Sequence, residues 1–476
     1  MTLHPCFVAA LLALAITGAA AQESPAPREG QRIDDRRPDA PMSFGVLGRP
    51  VEFTGSWEFG LEKRQDFDLD ATRDRDRRVR ENEVKLELRT RPTADSEVFV
   101  QGAWLQEVRH TQGSASTKEN HFERGQAWLR LGRLFDSAWS VQLGRVALLE
   151  RRAWWWDDDR DALRLQYGGD AWRLDTGVAR ELAKLASTDR GIAAAEQGVS
   201  RWWGQGTWRW ARRQAVDVFW LAQRDRSGAP AAGSVFADED GTDGSDLAAR
   251  WLGLRIGGEA RWDSGWRFGY RLDAATLRGR ELQTAFDEGA DGRFTAQAST
   301  ERRLKSHAWD ADFTVIAPGA GRPSITVGRA VGSGGSDAGG ADRNFRQTGL
   351  HENKGRVAGV KRVRLYGELL QPDLSNLQVD LLAGGVRLSE NTSFEVLSRR
   401  YRQRVPSTAI AASRLSPDPL GLSTDLGNEI DLVLALREWR HFEITLRGAR
   451  FEPGEAFAAN RRTPARSVEI EFALNF

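Results

Sequence analysis

Nine basic residues, Lys85, Arg89, Arg130, Arg164, Arg267, Arg271, Arg362, Arg364 and Arg399, fall on the polar side of stretches in which apolar and polar residues alternate. Guanidinium groups contributed by many strands to one face hold carboxylates or phosphates weakly and repeatedly, as a conducting passage requires. If the strands close into a cylinder, these groups share one lumen that favours anions and repels cations. The competing account of each residue is structural: an Arg facing an Asp or Glu on a neighbouring strand holds the wall open as an ion pair.

The most concentrated stretch is Trp154-Trp155-Trp156-Asp157-Asp158-Asp159-Arg160-Asp161-Ala162-Leu163-Arg164, where acid and base interleave beside three indoles. Leu163, Leu165 and Tyr167 share one parity, so Arg164 and Gln166 point inward, and the Trp triplet is expected at a membrane interface or on the pore wall. A calcium reading of these aspartates lacks the Gly turn and spaced Glu of an EF-hand. Asp238 to Asp246 reads as a solvated external loop, with divalent-ion contact to lipopolysaccharide as its alternative. His110, His121, His307, His351 and His441 show no metal spacing, and Gly332-Ser333-Gly334-Gly335 lacks the Lys-Ser/Thr pair of a phosphate loop. No catalytic residue and no cofactor is expected.

The elements that position these groups are strands. Val51, Phe53, Trp57, Phe59 and Leu61 oppose Glu52, Thr54, Ser56, Glu58 and Glu62, and the same alternation recurs at Val84–Leu88, Ala127–Leu131, Trp266–Leu272, Trp309–Val315 and Ile430–Leu436. The chain ends on another copy, in which Val468, Ile470, Phe472, Leu474 and the terminal Phe476 share one face. Such segments number about eighteen, within the even-numbered range of bacterial barrels. Short connections such as Tyr167-Gly168-Gly169-Asp170 read as periplasmic hairpin turns; Asp225–Ser245, Asp287–Arg303 and Gly332–Gly355 read as external loops or plugs.

Composition points the same way. Eighteen Trp against two Met suit aromatic girdles, and 28% of residues are charged at a net charge of +1, which a hydrated lumen and long loops would accommodate. Phe7–Ile16 followed by Ala19-Ala20-Ala21 reads as a signal peptide over residues 1–21. Cys6 leaves with it, so the exported chain has no thiol for a disulfide or metal site. Residues 22–48, rich in Pro, Arg, Asp and Glu, read as a flexible polar segment, and residues 49–476 as one transmembrane antiparallel β-barrel in the outer membrane of a Gram-negative bacterium.

Leu143-Gly144-Arg145, Trp154-Trp155-Trp156-Asp157, Asp161-Ala162-Leu163-Arg164, Phe345-Arg346-Gln347-Thr348-Gly349-Leu350, Tyr366-Gly367-Glu368-Leu369-Leu370, Leu374-Ser375-Asn376-Leu377 and Gly427-Asn428-Glu429-Ile430-Asp431-Leu432 resemble the alginate export porin family, from about residue 50 to the end. The resemblance implies an eighteen-stranded monomeric barrel that passes an anionic exopolysaccharide from periplasm to surface, with loops as gates. It also implies an Arg-lined constriction built from Arg145, Arg164, Arg346 and Arg356 with Asp161 as a balancing carboxylate.

The expected function is therefore passive export of an alginate-like polyanion. The expected path also includes Arg89, Arg130 and Arg271 from the alternating strands. Periplasmic secretion proteins are the expected protein partners, lipid and lipopolysaccharide the expected surroundings, and no nucleic acid is involved. An uptake porin for small organic anions would use the same lumen in reverse; an outer-membrane barrel enzyme is the remaining alternative.

Overall fold

The structure, a computed structural model, describes residues 41–72, 76–237, 242–289, 292–337 and 339–476. The expected signal peptide, and residues 22–40 of the expected polar segment, lie outside the described residues.

Among the described residues, eighteen antiparallel strands form the wall. In chain order they are β1 (Arg49–Gln65), β2 (Arg77–Thr93), β3 (Ser96–Thr111), β4 (Thr117–Leu134), β5 (Trp139–Leu149), β6 (Asp157–Gly168), β7 (Trp172–Ala179), β8 (Ser200–Ala211) and β9 (Gln214–Arg224). The second half follows as β10 (Ser245–Arg261), β11 (Arg267–Gln283), β12 (Thr300–Ile316), β13 (Ser324–Gly332), β14 (Leu377–Arg387), β15 (Thr392–Gln403), β16 (Asp425–Leu436), β17 (Phe442–Pro453) and β18 (Ala465–Asn475). Each pairs with the next, and β18 pairs back onto β1 from Ser56↔Asn475 to Gln65↔Arg466, which closes the cylinder. Residues 42–46, inside the expected polar segment, form a further short strand that folds back on Arg49–Phe53.

The alternation works as its period dictates. Leu129, Leu131, Leu143, Leu163, Ile325, Val327, Ile430 and Leu432 are exposed on the outside, where lipid covers them, while Gln142, Arg255, Asp273, Asp310, Glu429 and Asp431 are buried within. Trp57, Trp172, Trp202, Trp208, Trp262, Trp266 and Trp439 also stand exposed, as interfacial girdles require.

The lumen departs from a simple polar bore. Phe99, Trp128, Trp203, Phe219, Leu221, Trp251, Leu277 and Leu304 point inward and join one apolar cluster with two connections that enter the barrel, residues 150–156 and 333–376. Burial of this much aromatic surface holds the connections inside, because their alternative is hydrated indole and leucine. The Trp triplet, expected at an interface or on the pore wall, lies in that interior cluster; Trp154, Trp155 and Trp156 are each at most 3% exposed. Arg362 and Arg364, read as wall residues, belong to the second of these connections, where Val363–Arg364 pairs with Lys354–Gly355 in a two-stranded ribbon.

Candidate functional site: an occluded lumen

The connection 150–156 turns on Glu150, whose carboxylate accepts hydrogen bonds from the backbone N–H groups of Arg152 (2.8 Å), Trp154 (2.5 Å) and Trp155 (3.1 Å). Burial alone would push the Glu150 carboxyl up, but the Arg255 guanidinium and these N–H groups outweigh it and hold it below the usual carboxylate range. The turn presents Arg152 to three wall carboxylates, Asp273 (2.8 Å), Asp310 (2.8 Å) and Asp312 (3.2 Å). Arg255 bridges Glu150 and Asp273, and Arg271 joins Asp312 at 2.9 Å. The Tyr366 hydroxyl donates to Asp310 (2.8 Å) and accepts from the Trp154 indole N–H (2.9 Å), so the network ties both inward connections to β10, β11 and β12.

The connection 333–376 runs from the outer rim almost to the periplasmic turns and back. On the way down Phe345 stacks on Trp154, Thr348 donates to the Trp155 carbonyl, and the Arg346 carbonyl accepts from the Trp251 indole at 2.8 Å. Its tip, residues 357–361, is held beside the turn between β14 and β15. Glu395 accepts from the Gly359 N–H (2.8 Å) and the Ala358 N–H (3.2 Å), Ser393 accepts from the Val360 N–H (2.9 Å), and Arg437 donates to the Val360 carbonyl (2.9 Å). Lys361 pairs with Glu471 at 2.8 Å and approaches Glu443 at 3.7 Å. A Cβ at Gly359 would collide with the Glu395 carboxylate, so a side chain here would push that carboxylate off the tip. On the return, Arg399 donates to the Leu365 (2.8 Å) and Arg364 (2.7 Å) carbonyls, and Glu429 accepts from the Leu369 (2.8 Å) and Leu370 (3.1 Å) N–H groups.

The expected path residues occupy different depths and do not form one ring. Arg89 faces the lumen on β2 with Glu97 at 3.2 Å and lies over the Phe99 ring. Arg130, on β4, donates to Ser140 at 3.3 Å, and Arg164, on β6, grips Asp175 through two guanidinium nitrogens. Arg346 bridges Glu281 (2.8 Å) and Asp342 (2.9 Å) toward the outer rim. Arg271 donates to the Arg356 carbonyl at 2.9 Å, which places these two together toward the periplasm, with the Arg356 residue exposed.

Arg145 and Asp161 sit where the wall opens. Wall pairing of β4 with β5 stops at Ala127↔Arg145, and that of β6 with β7 stops at Ala162↔Ala179. Beyond these points the β5–β6 hairpin leaves the cylinder, bending at Gly144, whose φ of +126° and missing Cβ let it ride against the Ala127 carbonyl. Residues 180–199 cover the gap. Arg145 keeps the outward parity of Leu143 but pairs with Glu181 of this cover at 3.0 Å, and Asp161 pairs with Arg124 at 2.5 Å while accepting from the Leu182 N–H.

Sequence reasoning missed Glu150, Arg152, Arg255 and Tyr366. Asp273, Asp310 and Asp312 fall on the polar parity of their strands, and that local excess of carboxylates is the signal that could have pointed to a guanidinium from a connection. β1–β3 carry half-exposed Glu58, Glu83, Lys85, Gln101 and Glu107. At the periplasmic end Arg387 lies within electrostatic reach of Glu395 and of Arg356, Arg322 and Arg267, and Arg267 within reach of Glu259 and of Arg261, Arg322 and Arg213, so guanidinium groups outnumber carboxylates there.

The model of the family described as Alginate export matches residues 50–469. Alginate production protein AlgE of Pseudomonas aeruginosa is 23% identical over 368 residues, covering 71% of this chain and 70% of that protein. Among solved structures, OccD3 (OpdP) of P. aeruginosa superposes with a TM-score of 0.53 at 10% identity, covering 92% of this chain and 95% of that one. OccK2 (OpdF) of the same organism, solved in complex with glucuronate, gives 0.52 at 10% identity, covering 90% and 96%. These two structures share the barrel fold. The alginate export family match together with the closed eighteen-stranded cylinder places the protein in the Gram-negative outer membrane. The family match spans nearly the whole wall, from the first residues of β1 into β18, and the chain belongs to the alginate export family.

Proposed function

We propose that this protein is a passive, gated outer-membrane channel through which an alginate-like polyuronate leaves the cell. The observation that carries the reading is the guanidinium vestibule at the periplasmic end, where Arg387 donates to the Gly359 carbonyl at the tip of the inward connection, Arg267, Arg322 and Arg356 lie within electrostatic reach of Arg387, and Arg271 donates to the Arg356 carbonyl. A polymer of regularly spaced carboxylates is attracted to such a mouth, and several weak cationic sites let one sugar leave as the next arrives. At a similar distance from the periplasmic turns as Arg271, Arg89, Arg130 and Arg164 would line the route between the inward connection and the β1–β7 wall, with Lys85 further out on β2 and Arg346 near the outer rim. Arg145 and Asp161 would act indirectly, by anchoring the cover of the wall opening.

In the resting state the connection 333–376 occupies the bore, so transport requires it to shift toward one wall. Polymer synthesis supplies the drive, because the outer membrane has no nucleotide pool. The barrel works as a monomer, and periplasmic secretion proteins present the chain to the vestibule. The protein carries no catalysis of its own.

The test is ion selectivity in planar bilayers for the wild type and the double variant Arg271→Glu/Arg356→Glu. The wild type should prefer chloride to potassium, and the double variant should lose or invert that preference while keeping its folded mobility on gels. Undiminished anion preference in the double variant would remove the vestibule from the path. Faster release of oligouronate from the periplasmic than from the outer side supports export; the reverse bias would favour uptake.

A further inference from the structure

We propose that Asp225, Asp243 and Asp246 form a binding site for a divalent cation of the calcium class, which staples the two roots of the external loop 225–244. Asp225 directly follows β9, and Asp243 and Asp246 flank the start of β10, so the loop returns to its own origin with three carboxylates whose oxygens lie within 4.8 Å of one another. Among the described residues no Lys or Arg forms an ion pair with any of the three. Three anions at that spacing repel unless something positive sits between them.

A second observation points into the same space. The Asp243 side chain is buried, and its Oδ2 has no hydrogen-bond partner, although a buried carboxylate oxygen without one is costly. The neighbouring oxygens are already directed: the Ser227 hydroxyl lies 2.6 Å from Asp225 Oδ1 and 2.7 Å from Asp246 Oδ1, the Ser227 N–H donates to Asp225 Oδ1 (2.9 Å), and the Gly228 N–H donates to Asp246 Oδ1 (3.2 Å). These bonds engage Oδ1 of both outer carboxylates.

The chemistry selects the ion. Carboxylate oxygens are hard ligands, and neither His nor Cys belongs to the group, which excludes the softer metals. Calcium tolerates a loose, partly hydrated shell of six to eight oxygens, whereas magnesium demands near-octahedral geometry. A loop root on the cell surface meets calcium at millimolar concentration, so a dissociation constant on the order of 10⁻⁴ to 10⁻³ M suffices. The inference is independent of the export reading, since it concerns the loop root and not the lumen.

The test uses the full-length protein in detergent after EDTA treatment, titrated calorimetrically with calcium chloride, alongside Asp243→Asn and Asp246→Asn. Trypsin cleavage after Arg226, which is exposed beside Asp225, reports the loop directly. The wild type should bind one calcium in that range and resist cleavage when it does; each variant should bind at least tenfold more weakly and lose the protection, with unchanged heat-modifiable mobility. Identical titrations for wild type and both variants, or magnesium binding as tightly as calcium, would overturn the site.

Discussion

Arg152 carries the heaviest single load in the lumen. It meets three buried carboxylates from β11 and β12, and its fork geometry serves two of them through different nitrogens. Arg152→Met should leave Asp273, Asp310 and Asp312 short of a cation, at a cost of about 3–5 kcal/mol to the docked state of residues 150–156. The expected outcome is a several-fold rise in single-channel conductance with the barrel intact; Arg152→Lys should fall between, because an ammonium cannot span the same acceptors. Conductance identical to wild type in Arg152→Met would show that the connection is held by its indoles alone. That contribution is separable: Trp155→Ala should cost about 3–5 kcal/mol through lost packing against Phe219 and raise conductance in the same way. Sequence alone resolved the inward side of Arg89, Arg130, Arg164 and Arg271, because a period of two assigns a face to every strand residue. It was silent on Arg152, which lies in a connector where no period applies.

At the scale of elements, the inward connection 333–376 is fixed at both ends of its travel but by different means. Its upper part packs on indoles, and its tip hangs on backbone hydrogen bonds to Glu395, Ser393 and Arg437. Polar clamps of this kind release more readily than an apolar core, since water competes for each bond at about 1 kcal/mol. Gly359→Val should force the tip off Glu395 and increase open time in bilayer recordings, with little change in the upper packing; an unchanged gating pattern would mean that the tip does not limit passage. The sequence marked Gly332–Gly355 as an external loop or plug from its length and polar character. It misassigned Arg362 and Arg364 because a two-residue ribbon carries the same local alternation as a wall strand. The departure of the β5–β6 hairpin from the wall was equally hidden, since β5 and β6 keep their own pairing throughout and only their outer neighbours change.

For the whole molecule, wall and plug are two structures with separate sources of stability. The wall rests on a closed hydrogen-bond ladder that lipid protects from competition, and its seam is completed by the last residue of the chain. The Phe476 N–H donates to the Gly55 carbonyl (3.0 Å), the Gly55 N–H donates to the Phe476 carbonyl (2.8 Å), and the Phe476 ring fills the space that a Gly55 side chain would take while leaning on Phe53. Deleting Phe476 should remove both bonds and the ring contact, about 2–4 kcal/mol at the point of closure. Gly55→Val should expel the ring with a similar result. Both should lower the temperature at which the folded band converts on gels and slow insertion into lipid vesicles, while the ion selectivity of the molecules that do insert stays unchanged. The plug variants should do the opposite, altering conductance without moving that temperature. If Arg152→Met or Gly359→Val also destabilised the folded band, wall and plug would be one cooperative unit, and the gate could not open without loosening the cylinder that contains it.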